Sequence, residues 1–329
     1  MNSSRKINYS TRVAKNIERK MLRDLLIRLS TVCPMDEYTY VGFGAKYFTD
    51  FIMMHKFLHI NNLISIEGDT SNKEKYEFNK PLSCITMEYG MSHDVIPNLK
   101  LDKNKSIVWL DYDGLLKSSC LADIAHLSGK LEFGSTLLVS YNSRPPKDSE
   151  LRTRYPDIKE PSERLKTYLS ETHGDNYFPH DQDLKGLSKW SNYSAFLRQL
   201  ILNCINKRLE IKNRGVDEKT TVKQIVNFNY KDGCEMSSVG FIFYKTEEEL
   251  KLLESVKLDY FDFYRDGKEP YMIDVPHLTI KEIKALIETM PSCDNIDIKN
   301  LKRVIPPKEI EQFSKIYKYL PIFADSEFA

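Results

Sequence analysis

Two glycines and three carboxylates carry the first chemical signal in this 329-residue chain. Gly42 and Gly44 sit in Tyr40-Val-Gly-Phe-Gly-Ala-Lys-Tyr-Phe-Thr-Asp50, where a β-branched and aromatic run ends, a turn follows and a helical pattern begins. Glycines at such a turn free the backbone to take positive φ and approach a ligand closely, and the helix start offers free N–H groups. Glu67 ends the next apolar run, 23 residues after Gly44. An acid at that position can accept hydrogen bonds from both hydroxyls of a ribose. Asp111-Tyr-Asp-Gly114 follows a fourth run, Ser106–Leu110, at the edge where open α/β sheets place their ligands. Asp113 there could bind or deprotonate an acceptor hydroxyl, and capping of the next helix is the alternative for both acids.

A dinucleotide loop calls for a third glycine where this chain has Tyr47, so that the helix can approach a pyrophosphate. S-adenosylmethionine carries no phosphate, and its amino-acid end needs only the first part of the loop. The missing glycine therefore favours that cofactor over NAD.

These residues need a frame. Apolar runs at Tyr38–Phe43, Leu63–Glu67, Leu82–Met87, Ser106–Asp111 and Ser135–Tyr141 alternate with helical lengths such as Thr49–Leu58 and Asp123–Leu131. Short, nearly continuous apolar strands with helices between them predict a parallel sheet covered on both faces. Val222–Tyr230 and Ser238–Tyr244 are joined too closely for a parallel crossover and must be antiparallel neighbours. An amphipathic helix is expected over 11–30, with Val13, Ile17, Met21, Leu25 and Leu29 facing inward and Ser10 or Thr11 as its cap. Its Arg12, Lys15 and Arg19 read as a solvated face, contact with a cofactor carboxylate or anionic substrate being the functional alternative.

Formal charge is +1, with 48 Lys+Arg against 47 Asp+Glu, which does not indicate a nucleic-acid partner. Six scattered cysteines without CxxC pairing read as reduced thiols, no run is long enough for a membrane span, and the expected location is cytoplasmic. Asp113 and Asn142 could supply two oxygen ligands to a cation; no third is evident, so no metal is expected. His173, Asp175, His180 and Asp183 lie in a polar insertion and read as solvent-facing or lid residues.

Tyr9-Ser-Thr-Arg-Val-Ala-Lys-Asn-Ile-Glu-Arg19, Tyr40–Phe51 and Leu63-Ile-Ser-Ile-Glu67 resemble class I S-adenosylmethionine-dependent methyltransferases, in particular a bacterial putative O-methyltransferase family. The resemblance implies an α/β fold with a Rossmann-like seven-stranded sheet ordered 3-2-1-4-5-7-6. It implies that Gly42, Phe43 and Gly44 line the methionine part of the cofactor and that Glu67 holds the ribose. Asp94, after the third strand, would contact the adenine, and Asp111 the cofactor ammonium. The chain lacks the Asn/Asp-Pro-Pro-Tyr motif of amino-directed DNA methyltransferases. The expected organisation is a methyltransferase domain over 1–245, a helical lid insertion over about 142–219, and a small α+β appendage over 246–329 containing a hairpin at Asp266-Gly267. The expected reaction is methyl transfer to an oxygen or nitrogen of an unidentified acceptor. An inactive binding or sensor protein of a bacterial defence or modification system, and a nucleic-acid methyltransferase, are the alternatives.

Overall fold

The computed structural model describes residues 12–101, 104–178, 184, 186–291 and 300–321. Strands β1 (Thr39–Gly42), β2 (Asn62–Glu67), β3 (Ile85–Tyr89), β4 (Ser106–Leu115) and β5 (Thr136–Asn142) are parallel to one another. Strand β7 (Glu235–Tyr244) inserts antiparallel between β5 and β6 (Thr221–Lys231). A short strand β8 (Tyr271–Ile273) completes the order β3-β2-β1-β4-β5-β7-β6-β8. The expected order of seven is present, and an eighth strand extends it.

That eighth strand replaces the expected tail hairpin. Tyr271–Ile273 pairs in parallel with Phe228–Tyr230 of β6, burying Tyr271 and Ile273 on one side. Gln224 Nε2 donates to the carbonyls of Arg265 and Gly267 at 3.0 and 2.8 Å, so the bend is stitched to β6 and closes no hairpin of its own.

Helices cover both faces. On one face, α1 (Val13–Leu29) and α2 (Thr49–Leu58) place Ile17, Met21, Leu25 and Phe51 against Tyr40, Ile107 and Trp109. On the other, α5 (Ser118–Lys130) and α8 (Trp190–Lys212) place Leu121, Ile124, Leu200 and Ile201 against Val108, Leu110, Val139 and Phe241. Ile107 and Trp109 face one way and Val108 and Leu110 the other, the period-two alternation of a strand buried on both sides. Helices α3 (Lys73–Asn79) and α4 (Ser92–Val95) flank β3.

The insertion after β5 holds α6 (Asp148–Arg154), α7 (Pro161–His173) and α8. Helix α8 is a structural layer of the sandwich, with Phe196, Leu197, Cys204 and Ile205 buried in it. In the tail, α9 (Glu247–Ser255) contributes Leu253 to the first core, while α10 (Ile280–Ile287) and α11 (Pro307–Ile316) enclose a small cluster of Leu286, Ile305, Ile310 and Phe313. Thr279 and Glu282 form the expected capping box at α10. Among the described residues no helix is long and apolar enough to cross a membrane. Ser10 and Thr11 lie outside the described residues.

Candidate functional site

Gly42 of β1 pairs with Ser65 of β2, so the Gly42–Gly44 loop and Glu67 leave the sheet at the same edge. The Gly44 N–H donates to Ser65 Oγ at 3.1 Å and pins the loop to β2. The bend, however, is not made by the glycines. Ala45 (φ 45°) and Phe48 (φ 50°) occupy the left-handed region; Gly42 and Gly44 do not. The glycines are demanded by space. A Cβ on Gly42 would lie 2.7 Å from the Tyr40 hydroxyl, and one on Gly44 only 2.5 Å from the Phe48 ring and 2.7 Å from Ser65 Oγ. Left-handed φ at a bulky residue costs roughly 1–2 kcal/mol. Burial of the Phe48 ring, edge-on to Phe51 at 5.7 Å, holds it there.

Strand β4 runs four residues beyond the expected end at Asp111. Asp111 pairs with Ser140 and Leu115 with Asn142, so four steps on β4 match two on β5 and residues 112–114 bulge outward. The bulge turns Asp111 and Asp113 into a pocket shared with Arg19, Phe43, Gly44 and Asp50, whose enclosed part measures about 60 Å³. Neither acid caps the next helix, because Lys117 is the N-cap of α5 and no side chain caps it.

Helix α1 supplies the other half, against the solvated face expected of it. Lys15 and Arg19 are 4 and 5% exposed. Lys15 Nζ lies 2.6 Å from Asp111 Oδ1 and 2.8 Å from Glu18 Oε2, and stands 4.8 Å over the Trp109 ring. Burial alone would lower the Lys15 pKa, but Asp111 and Glu18 outweigh it and hold the ammonium well above its ordinary value. The Glu18 pKa is raised as well, because burial outweighs the attraction of the shared Lys15. One cation serves two acids. Arg19 Nε donates to Asp50 Oδ1 at 2.5 Å, and this pair keeps the buried guanidinium charged against desolvation. The backbone N–H of Lys15 also donates to Asp232 Oδ2 at 3.3 Å, tying α1 to the β6–β7 turn.

Glu67 is half-buried at the end of β2, its Oε1 accepting the Asp69 N–H at 2.8 Å. Burial raises its pKa, opposed by that hydrogen bond. Asp94 projects from α4, its side chain 71% exposed and 3.7 Å from His93. The structure thus gathers Phe43, Gly44 and Asp111 with Asp113 in one pocket, sets Glu67 on the adjoining strand end, and leaves Asp94 at the rim. Lys15 and Arg19 had contact with a cofactor carboxylate or anionic substrate only as the alternative to a solvated face, and Glu18 was hidden on that charged helical face. A pattern signal existed, since Lys15 and Arg19 are four apart and flank Glu18.

His173 is buried rather than solvent-facing. Its Nδ1 donates to the Leu116 carbonyl at 2.5 Å, its Nε2 accepts from the Tyr193 hydroxyl at 3.2 Å, and burial lowers its pKa to about 4. His180 and Asp183 lie outside the described residues. Asn142 Oδ1 accepts the Arg144 N–H at 2.9 Å. Among the described residues no three His, Cys, Asp or Glu side chains gather as a metal-binding group.

A family model described as "Putative O-methyltransferase" matches residues 7–328. No curated protein matches the chain. Among solved structures, the chain is similar to the O-methyltransferase TomG from Streptomyces achromogenes in complex with SAM (12% identity, 73% of this chain and 92% of that one, TM-score 0.33). It is similar to an O-methyltransferase from Bacillus cereus in complex with SAH (11%, 67% and 80%, TM-score 0.30). It also resembles LepI in complex with SAH and a substrate analogue (11%, 63% of this chain, TM-score 0.33), of which it spans only 43% of the length.

Proposed function

The chain belongs to the family described as "Putative O-methyltransferase", and from that premise we propose that it is an S-adenosylmethionine-dependent enzyme methylating an oxygen nucleophile at the carboxyl edge of β1, β2 and β4. The observation that carries this reading is the convergence of Gly44, Arg19, Asp111 and Asp113 on one pocket beside Glu67, at the edge where a parallel sheet presents its ligands.

The donor set fits the cofactor. Glu67 offers a carboxylate for a ribose diol, Asp111 one for an ammonium, and Arg19 a guanidinium for a carboxylate. Phe43 and Gly44 would line the amino-acid end, with Gly42 at the strand end leading to them, and Asp94 would reach the adenine from the rim. When bound, the cofactor supplies an electrophilic methyl group on a sulfonium sulfur. The chain's own task is to position the acceptor and take its proton. Asp113, exposed at the pocket mouth, serves as the base and can pass the proton to water. Lys15 holds Asp111 in place, and Arg19 with Asp50 fastens α1 to the first turn of α2.

Isothermal calorimetry with S-adenosylmethionine and S-adenosylhomocysteine tests the reading. Binding of both is expected, with Glu67→Ala weakening each about tenfold or more through lost charge-assisted hydrogen bonds. Absence of heat with either ligand, or an unchanged Kd in Glu67→Ala, refutes it.

A further inference from the structure

Asp123, on α5, has no part in the pocket described above, yet it is 2% exposed and its carboxylate is used in an uneven way. Its Oδ2 accepts two hydroxyls, Ser92 Oγ at 2.6 Å and Tyr112 Oη at 2.7 Å. Its Oδ1 is buried and has no hydrogen-bond partner among the described residues. A buried carboxylate oxygen left unpartnered disfavours the folded state.

The two donors come from different strand ends. Ser92 opens α4 just after β3, and the Gly90 N–H in the same loop donates to the Glu67 carbonyl at 3.0 Å. Tyr112 lies in the β4 bulge, and its ring centroid is 5.4 Å from that of Phe43 in the β1 loop. One carboxylate therefore sets the spacing between the β3 loop, the β4 bulge and, through Tyr112, the β1 loop. With a ribose at Glu67 and the amino-acid end beside Gly44, the base of the nucleoside is left with the part of the edge that these loops form.

We infer that Asp123 is a positioning residue for the nucleobase end of the cofactor, acting through Ser92 and Tyr112. The inference rests on the cofactor reading above. It predicts a signature that a general loss of stability lacks. Asp123→Ala should weaken S-adenosylhomocysteine and 5′-methylthioadenosine by the same factor, about tenfold, because both ligands share the adenosine end. Asp123→Asn, which keeps an acceptor for both hydroxyls, should restore affinity to within about threefold of the parent. Arg19→Ala should weaken only S-adenosylhomocysteine, because methylthioadenosine lacks the amino-acid end.

Calorimetry on the full chain with both ligands decides the matter, with thermal melts to verify folding. Equal losses in Asp123→Ala with rescue in Asp123→Asn support the inference. Parent-like binding in Asp123→Ala, a loss confined to S-adenosylhomocysteine, or no rescue by asparagine overturns it. Should Asp123→Ala fail to fold, Ser92→Ala/Tyr112→Phe/Asp123→Leu removes the same two hydrogen bonds and leaves neither a hydroxyl nor a carboxylate orphaned. Its methylthioadenosine affinity must then fall about tenfold, and an unchanged value overturns the inference. A parent chain that binds neither ligand removes the cofactor reading as well, whereas a parent that binds both isolates the failure to Asp123.

Discussion

Replacing Lys15 with methionine keeps roughly the volume of the side chain and removes the ammonium that touches two acids. In the folded protein Lys15 Nζ sits 2.6 Å from Asp111 and 2.8 Å from Glu18, with Glu18 fully buried and Asp111 17% exposed. At an effective dielectric near 20 each contact is worth on the order of 6 kcal/mol, and desolvation of the ions cancels much of that. Removing one partner of a buried pair destabilises by roughly 3–5 kcal/mol, because Glu18 and Asp111 lose the cation that touches them and keep only the longer-range attraction of Arg19. That range is expected for Lys15→Met in urea unfolding followed by Trp fluorescence near pH 7. The pH dependence has a definite sign. Burial already raises the Glu18 pKa in the parent, and loss of Lys15 must raise it further. A carboxyl whose folded pKa lies above its unfolded value of 4.5 costs stability once pH exceeds that unfolded value, and the cost grows until the folded pKa is passed. The deficit of Lys15→Met is therefore smaller near pH 5 than near pH 8. Lys15→Met/Glu18→Leu should recover about 1–3 kcal/mol of it by removing the stranded acid. A deficit below about 1 kcal/mol, or one of equal size at both pH values, would refute the account of a buried triad with one cation for two acids.

Gly44→Ala should destabilise by about 1–3 kcal/mol, because its Cβ meets the buried Phe48 ring rather than open space; a melt unchanged from the parent would show that the ring gives way. His173 has a folded pKa near 4, depressed by burial from 6.5. Its contribution is thus complete above about pH 6.5 and is lost at about 1.4 kcal/mol per pH unit as pH falls towards 4. Chemical denaturation of His173→Gln across that window should give a flatter profile than the parent, and parallel profiles would exclude His173 as the source.

The frame of the site was legible because it is written in local pattern. Apolar runs of five to seven residues, the glycine turn after Val41 and the acid ending Ile66-Glu67 each report on a strand and its carboxyl end. The short joint between β6 and β7 permitted only an antiparallel pair, and the observed register from Thr221↔Tyr244 to Lys231↔Glu235 has that sense. The eighth strand escaped notice because three residues show too little periodicity, and its partner β6 lies about forty residues earlier. The chain only bends at Gly267, where Gln224 of β6 holds its carbonyl, and a turn signal does not name the strand to which the returning chain will pair.

By itself the chain's order of residues determined the seven-stranded core of the sheet and its carboxyl edge, since strand periodicity and turn chemistry depend on near neighbours. Only the tertiary structure decided what those residues became. The loop bends at Ala45 and Phe48 because a buried ring compensates the left-handed backbone, leaving the glycines as gaps for aromatic rings. Lys15 left the solvent because Asp111, 96 positions away, meets it inside. A charge is buried only when a partner is delivered to it by the fold, and no helix carries a record of a partner on a distant strand.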